Sequence, residues 1–250
     1  MNAFLSLFFH IGKYYILITR AFRKPEKPAI YRRRILDEID SLGINSLGIV
    51  VIITVFMGAV ITIQGSFGFS SAWVPVYAVG LATRDSIVLE FAPTIVSLIL
   101  AGKVGSNITS EIGTMRVTEQ IDALEIMGIN SAGFLIMPKI VAAVIINPFL
   151  IIIGMFMGVF GGWVFGVMTG VISSVDYIYG IQYQFVASNV SYALIKASVF
   201  AFLITSVSAY QGYYTKGGAL EVGKASTRAV VYSSILILIF NFIITQMLLA

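Results

Sequence analysis

Apolar residues run almost unbroken over five stretches of this sequence, at about 45–66, 87–108, 134–171, 190–210 and 229–249, and polar residues gather between them. A helix needs about 20 residues to cross the hydrocarbon core of a bilayer, and each stretch reaches that length. Strands of a membrane barrel would alternate polar and apolar positions over short segments, whereas these runs are continuous. The pattern predicts an all-α polytopic membrane protein. The third run is too long for one straight crossing. It places Gly154, Gly158, Gly162, Gly166 and Gly170 at every fourth position. That spacing permits close helix–helix approach and would equally suit a broken or re-entrant helix.

Residues 1–22 read as a further helix, interrupted by Lys13 and Arg20, with Phe8, Phe9, Tyr14 and Tyr15 suited to headgroup level. It is expected to lie along the membrane surface, a sixth crossing being the other reading. It lacks the basic start and small-residue cleavage site of a secretory signal, so it reads as retained. Residues 23–43 are polar and carry Arg23, Lys24, Lys27 and Arg32 to Arg34. With Lys13 and Arg20, half of the sixteen basic residues precede the first clear span. The excess of Lys and Arg on cytoplasmic segments then places the amino end inside. Segments 67–85 and 172–188 hold Arg84 as their one basic residue and read as outside loops, while 211–228, with Lys216, Lys224 and Arg228, reads as inside. Five crossings put the carboxyl end outside, and residues 45–250 form the transmembrane bundle.

Composition sharpens this. The chain has 250 residues, 58% hydrophobic and 11% charged, with mean hydropathy +0.94. It has no cysteine and one histidine, His10, so no disulfide, thiolate metal site, Ser-His-Asp triad or multi-histidine site can be built within it. His10 reads as interfacial packing. No catalytic or metal-binding residue is expected. The basic cluster beside a span is explained by anionic headgroups rather than nucleic acid. The segment "GALEVGKAS" at 218–226 nearly matches a phosphate-binding loop, but Ala225 stands where the Mg²⁺-binding hydroxyl belongs and no strand precedes it. ATP is therefore expected on another chain, and no cofactor on this one.

Against so little charge, "EIGTMRVTEQIDALEIMG" at 111–128 carries Glu111, Arg116, Glu119, Asp122 and Glu125. As a helix it would align Val117, Ile121 and Leu124 on one face and Glu119 and Asp122 on the other. Membrane-resting helices favour Lys and Arg on the polar face, and this one is mainly acidic. A cytoplasmic protein partner is the favoured reading, a solvated linker the alternative. In the spans, Glu90 (just before Pro93) and Lys196 are ionisable groups that read as functional, with hydration of Glu90 at headgroup level as the other reading. Lys103 can snorkel to the surface. Gly102, Gly105 and Ser106 allow close packing.

The run "LEFAPTIVSLILAGKVGSNITSEIGTMRVTEQIDALEIMGIN" at 89–130 closely resembles the signature region of the MlaE (YrbE) permeases, membrane subunits of ABC transporters that work with MCE proteins in lipid trafficking. Matching positions are Glu90, Pro93, Ala101, Gly102, Gly105, Glu111, Gly113, Met115, Arg116, Glu119, Gln120, Ile121, Ala123, Glu125 and Met127. The segment "GGALEVGKASTRAVVYSS" resembles a second family pattern. Two positions depart: Lys103 and Leu89 stand where arginine is usual, and an arginine at 89 would suit a lipid phosphate.

The resemblance implies a cytoplasmic coupling helix at 111–128, with Glu111, Met115, Arg116, Glu119, Gln120, Ile121 and Asp122 engaging an ABC ATPase. It implies a homodimer with phospholipid held between the copies, a periplasmic MCE protein, and room for a small regulatory cytoplasmic subunit. The chain would sit in the inner membrane of a Gram-negative-type bacterium, moving phospholipid between inner and outer membranes and supporting outer-membrane lipid asymmetry. Segments 55–66 and 87–95 are expected to line the lipid cavity, through Thr62, Gln64, Glu90, Phe91 and Pro93. A self-sufficient secondary transporter or channel is the rival expectation, with Glu90 and Lys196 as its charged pathway.

Overall fold

A computed structural model describes residues 3–23, 28–69 and 74–249, and every regular element among them is helical. Helices α1 (Ala3–Ala21) and α2 (Pro28–Ile39) come first, and α2 passes through a π-helical turn at 40–44 into α3 (Asn45–Gly68). Helices α4 (Ala78–Ser86), α5 (Val96–Leu100) and α6 (Ser106–Val117) are joined end to end by π-helical stretches at 87–95 and 101–105. Then come α7 (Gln120–Ile126), α8 (Ser131–Met168), α9 (Ser174–Gln182), α10 (Ser188–Tyr213) and α11 (Ala219–Leu249). Among the described residues five rods are long and apolar enough to cross a membrane: 30–68, 78–117, 131–168, 188–213 and 219–248. The chain is an all-α multi-pass membrane protein.

The helices extend further than the apolar runs. The segment expected as a loop at 67–85 is helical from Ala78, and the one expected at 211–228 is helical from Ala219. Alanine, glutamate, lysine and arginine there are good helix formers, so helix persists where hydropathy falls. The third run is one unbroken helix of 38 residues, neither broken nor re-entrant. Its glycines explain the spacing. A methyl on Gly58 of α3 would strike the Gly158 carbonyl of α8, and one on Gly161 would strike the Val55 backbone. Gly154, Gly158, Gly162 and Gly166 all meet atoms of α3, so the two rods touch backbone to backbone. Gly170 does something else: its φ of +70° ends the helix.

Three prolines, Pro93, Pro138 and Pro148, lie inside helical segments, and beside the first two a cation bonds a carbonyl four residues earlier. Pro93 lies in the π-helical stretch, and Lys196 Nζ donates to the nearby Leu89 carbonyl at 3.2 Å. Pro138, in the α-helical α8, has no N–H to offer Phe134, and Arg34 Nη1 donates to that carbonyl at 3.1 Å while its guanidinium lies 3.5 Å from the Phe134 ring centroid.

The chain forms two compact units. One comprises Met1–Leu42, Leu100–Ile145 and Ala201–Ile237; the other comprises Gly43–Ile99, Ile146–Phe200 and Leu238–Ala250. In the first, α1 docks on α10: His10 Nδ1 lies 2.7 Å from the Tyr210 hydroxyl, and Tyr14 donates to Ser206 Oγ at 2.8 Å. Leu17 and Ala21 are buried, while Phe8, Phe9, Ile11, Tyr15 and Ile16 remain exposed. One face of α1 thus packs on α10 and leaves a set of apolar side chains outside. Gly105 in the same unit faces Ser208 so closely that an added Cβ would sit 2.9 Å from its Oγ.

Candidate functional site: a charged turn and a buried ion pair

Two clusters of charge, one in each unit, gather the residues singled out in the sequence. In the first, the expected single helix over 111–128 is instead two helices. α6 ends at Val117, and Glu119 adopts φ +60°, ψ +13° before α7 begins at Gln120. A left-handed conformation costs a non-glycine residue about 1–3 kcal/mol, so the surrounding contacts must hold it. They are visible. Arg116 Nη1 donates to Asp122 Oδ1 at 2.6 Å across the break. Ile121, fully buried, anchors α7. Gln120 Nε2 donates to Thr118 Oγ1 at 3.0 Å.

The flanks of this turn are tied down. Glu125 accepts from Ser131 Oγ at 2.8 Å and from the Tyr213 hydroxyl at 3.0 Å, with Arg20 Nη2 3.4 Å away. Asn130 Nδ2 donates to the carbonyl of Arg20 at 2.8 Å, closing the end of α1. At the other flank Lys139 of α8, only 3% exposed, reaches Glu38 of α2 at 2.6 Å and Glu111 of α6 at 2.8 Å. What the turn leaves outside is Glu119, exposed and with no side-chain hydrogen bond or ion pair among the described residues, together with Met127 and Ile126, the latter 88% exposed.

The Ser131 hydroxyl above all, helped by Tyr213 and Arg20 and opposed by partial burial, holds the Glu125 carboxyl below the usual glutamate range. A depressed folded value means that this network stabilises the turn fully above glutamate's ordinary pKa of about 4.3 and loses that contribution as pH falls through the lower, folded value. Hydrogen exchange of 119–129, corrected for intrinsic rates, should therefore rise on acidification in the native chain. It should stay flat in Glu125→Gln, and parallel profiles would remove the network from the turn's stability.

The second concentration lies in the other unit. Lys196 of α10, fully buried, pairs with Glu90 Oε2 at 2.9 Å and sits 4.6 Å from the Tyr192 ring centroid. Glu90 lies in the π-helical stretch that accommodates Pro93. Its Oε1 accepts from Asn241 Nδ2 of α11 and from Thr94 Oγ1 at 3.1 Å. Tyr192 and Thr245 hydroxyls lie 2.8 Å apart beside them. Sequence reasoning singled out Glu90 and Lys196 separately, and the fold joins them. It missed Asn241, Thr94 and Lys139. Lys139 is the one charged residue in the third run, a signal that was there to be used.

The other residues expected at the lipid cavity scatter. Thr62 is buried in the packing of α3, its Oγ1 2.9 Å from the Gly58 carbonyl and 3.2 Å from Thr83 Oγ1. Pro93 is buried, Gln64 is exposed, and Phe91 is half-buried. Phe91 joins Ile53, Thr54, Met57, Ile87, Ala92, Ile95 and Val96 around a cleft of about 10 Å³. That is the volume of about one water probe, far short of an acyl chain.

The sequence profile of the family described as Permease MlaE matches residues 35–247. The chain belongs to that family. It is 41% identical over 237 residues to a probable ABC transporter permease protein of Rickettsia bellii, covering 95% of this chain and 91% of that protein. It is 30% identical over 223 residues to the intermembrane phospholipid transport system permease protein MlaE of Haemophilus influenzae, covering 86% and 82%. It is also 30% identical over 229 residues to the chloroplastic protein Trigalactosyldiacylglycerol 1 of Arabidopsis thaliana, covering 88% and 63%. The permease is thus a membrane subunit of the ABC-transporter type. Of the residues that match the family's pattern, Arg116 to Met127 lie at the turn and Glu90 lies in the ion-pair cluster.

Proposed function

We propose that this permease moves phospholipid between the inner and outer membranes, driven by ATP hydrolysed on a separate cytoplasmic ABC ATPase and working with a periplasmic MCE protein. Glu119 carries the reading: a strained residue whose exposed carboxylate has no partner among the described residues, beside the exposed Ile126 and Met127. A strained exposed residue is held by its surroundings for a purpose, and an acid beside apolar side chains suits a basic-rimmed groove on a partner. Arg116, Asp122, Glu111 and Lys139 would pass the partner's movement from the turn into α6 and α8. Two copies would enclose the lipid, since the apolar cleft in the Glu90 unit is too small for a chain. The chain would lie in the inner membrane with its amino end cytoplasmic and its carboxyl end periplasmic.

Glu119→Lys is expected to reduce recovery of the ATPase with the tagged permease by tenfold or more, with the amount of permease in the membrane unchanged. A reversed charge at an interface contact costs well over 1.4 kcal/mol, one decade of affinity. Unchanged recovery would remove Glu119 from the contact. The Glu90–Lys196 pair is what a self-powered transporter would require, and lipid or ion flux driven by a proton gradient without ATP would select that reading instead.

A further inference from the structure

The ion-pair cluster does not offer its two charges equally. Lys196 is 0% exposed, and its three N–H groups are engaged by Glu90 Oε2, the Leu89 carbonyl and the face of Tyr192. The Glu90 side chain is 44% exposed. A carboxylate has about four acceptor positions, and Lys196, Asn241 and Thr94 fill three. The cluster therefore turns an acceptor outward and keeps its cation hidden. Leu89 adds no positive charge beside it.

We propose that Glu90 selects phospholipids whose headgroup ends in a primary ammonium, the ethanolamine class, by accepting an N–H from that group. This rests on the reading that the permease carries phospholipid. An anionic headgroup such as glycerol phosphate finds no free donor on Lys196 and meets the carboxylate instead. A trimethylammonium headgroup brings charge but no N–H, so it ranks between the two. Asn241 and Thr94 are positioning residues: they hold Oε1, leaving the remaining acceptor site to the lipid.

The test uses the permease taken from its native membrane in mild detergent with whatever partners accompany it. It is equilibrated with micelles holding equal amounts of dioleoyl phosphatidylethanolamine, phosphatidylcholine and phosphatidylglycerol, and retained lipid is counted by mass spectrometry. A charge-assisted hydrogen bond should favour ethanolamine over glycerol lipid by about tenfold, with choline between. Glu90→Gln should bring the ratio towards that of the micelle. Asn241→Leu, which removes the donor that holds Oε1, should lower it. Should Glu90→Gln not fold, Asn241→Leu decides alone, and an unchanged or higher ratio overturns the assignment. Lipid retained without headgroup preference also overturns it and leaves phospholipid transport standing. No phospholipid retained in any arm counts against the transport reading itself.

Discussion

Glu90→Ala is expected to destabilise the permease by about 3–5 kcal/mol, because it strands the fully buried Lys196 ammonium without its counter-charge. At about 2–4 °C per kcal/mol for a chain of this size, thermal unfolding in detergent should fall by on the order of 10 °C. The reverse deletion is milder. After Lys196→Ala, Glu90 stays half-exposed and keeps the hydrogen bonds from Asn241 and Thr94, so its charge remains partly solvated and bonded. Lys196→Ala does remove the hydrogen bond to the Leu89 carbonyl, so its effect is not zero. Glu90→Leu combined with Lys196→Met should recover most of the loss, since replacing both charges by apolar groups avoids the unpaired ion. Equal effects of the two single changes, or no recovery in the double, would mean that the pair is not a coupled buried unit.

Gly58→Val is expected to cost more than about 3 kcal/mol, the upper range for overpacking a well-filled site. The new side chain would meet the Gly158 carbonyl, and a backbone atom cannot rotate aside as a side chain can. The rods would have to separate, stripping contact from Thr54, Thr62 and Val55 as well. Gly48→Val on the same helix is the control, because nothing lies within 4 Å of a Cβ there. Similar unfolding temperatures for the two variants would show that the α3–α8 crossing opens at little cost.

The five crossings were legible because each apolar run reaches the thickness of a bilayer, a property of single segments. The third run's glycine period announced close packing but not its partner, because α3 supplies only Gly58 at the crossing and shows no period of its own. Glu90 and Lys196 could each be marked as unusual, yet 106 positions separate them, and only the fold brings them to 2.9 Å. The break at Thr118–Glu119 was not legible at all. Neither proline nor glycine stands there, and tertiary contacts of Arg116, Asp122 and Ile121 impose a conformation that glutamate would not choose. The same blindness hid the π-helical stretches, although Pro93 and the glycines at 102 and 105 lie within two of them.

The two buried lysines offer a use of their own. Lys139 lies in one compact unit and Lys196 in the other, each closed off from solvent and held by carboxylates. An amine-reactive label cannot reach either while its unit stays shut. Each is therefore a natural clock for its own half of the chain. The pace at which mass is gained at residue 139 and at residue 196, followed through a transport cycle, would time the opening of one unit independently of the other, with no probe engineered into the protein.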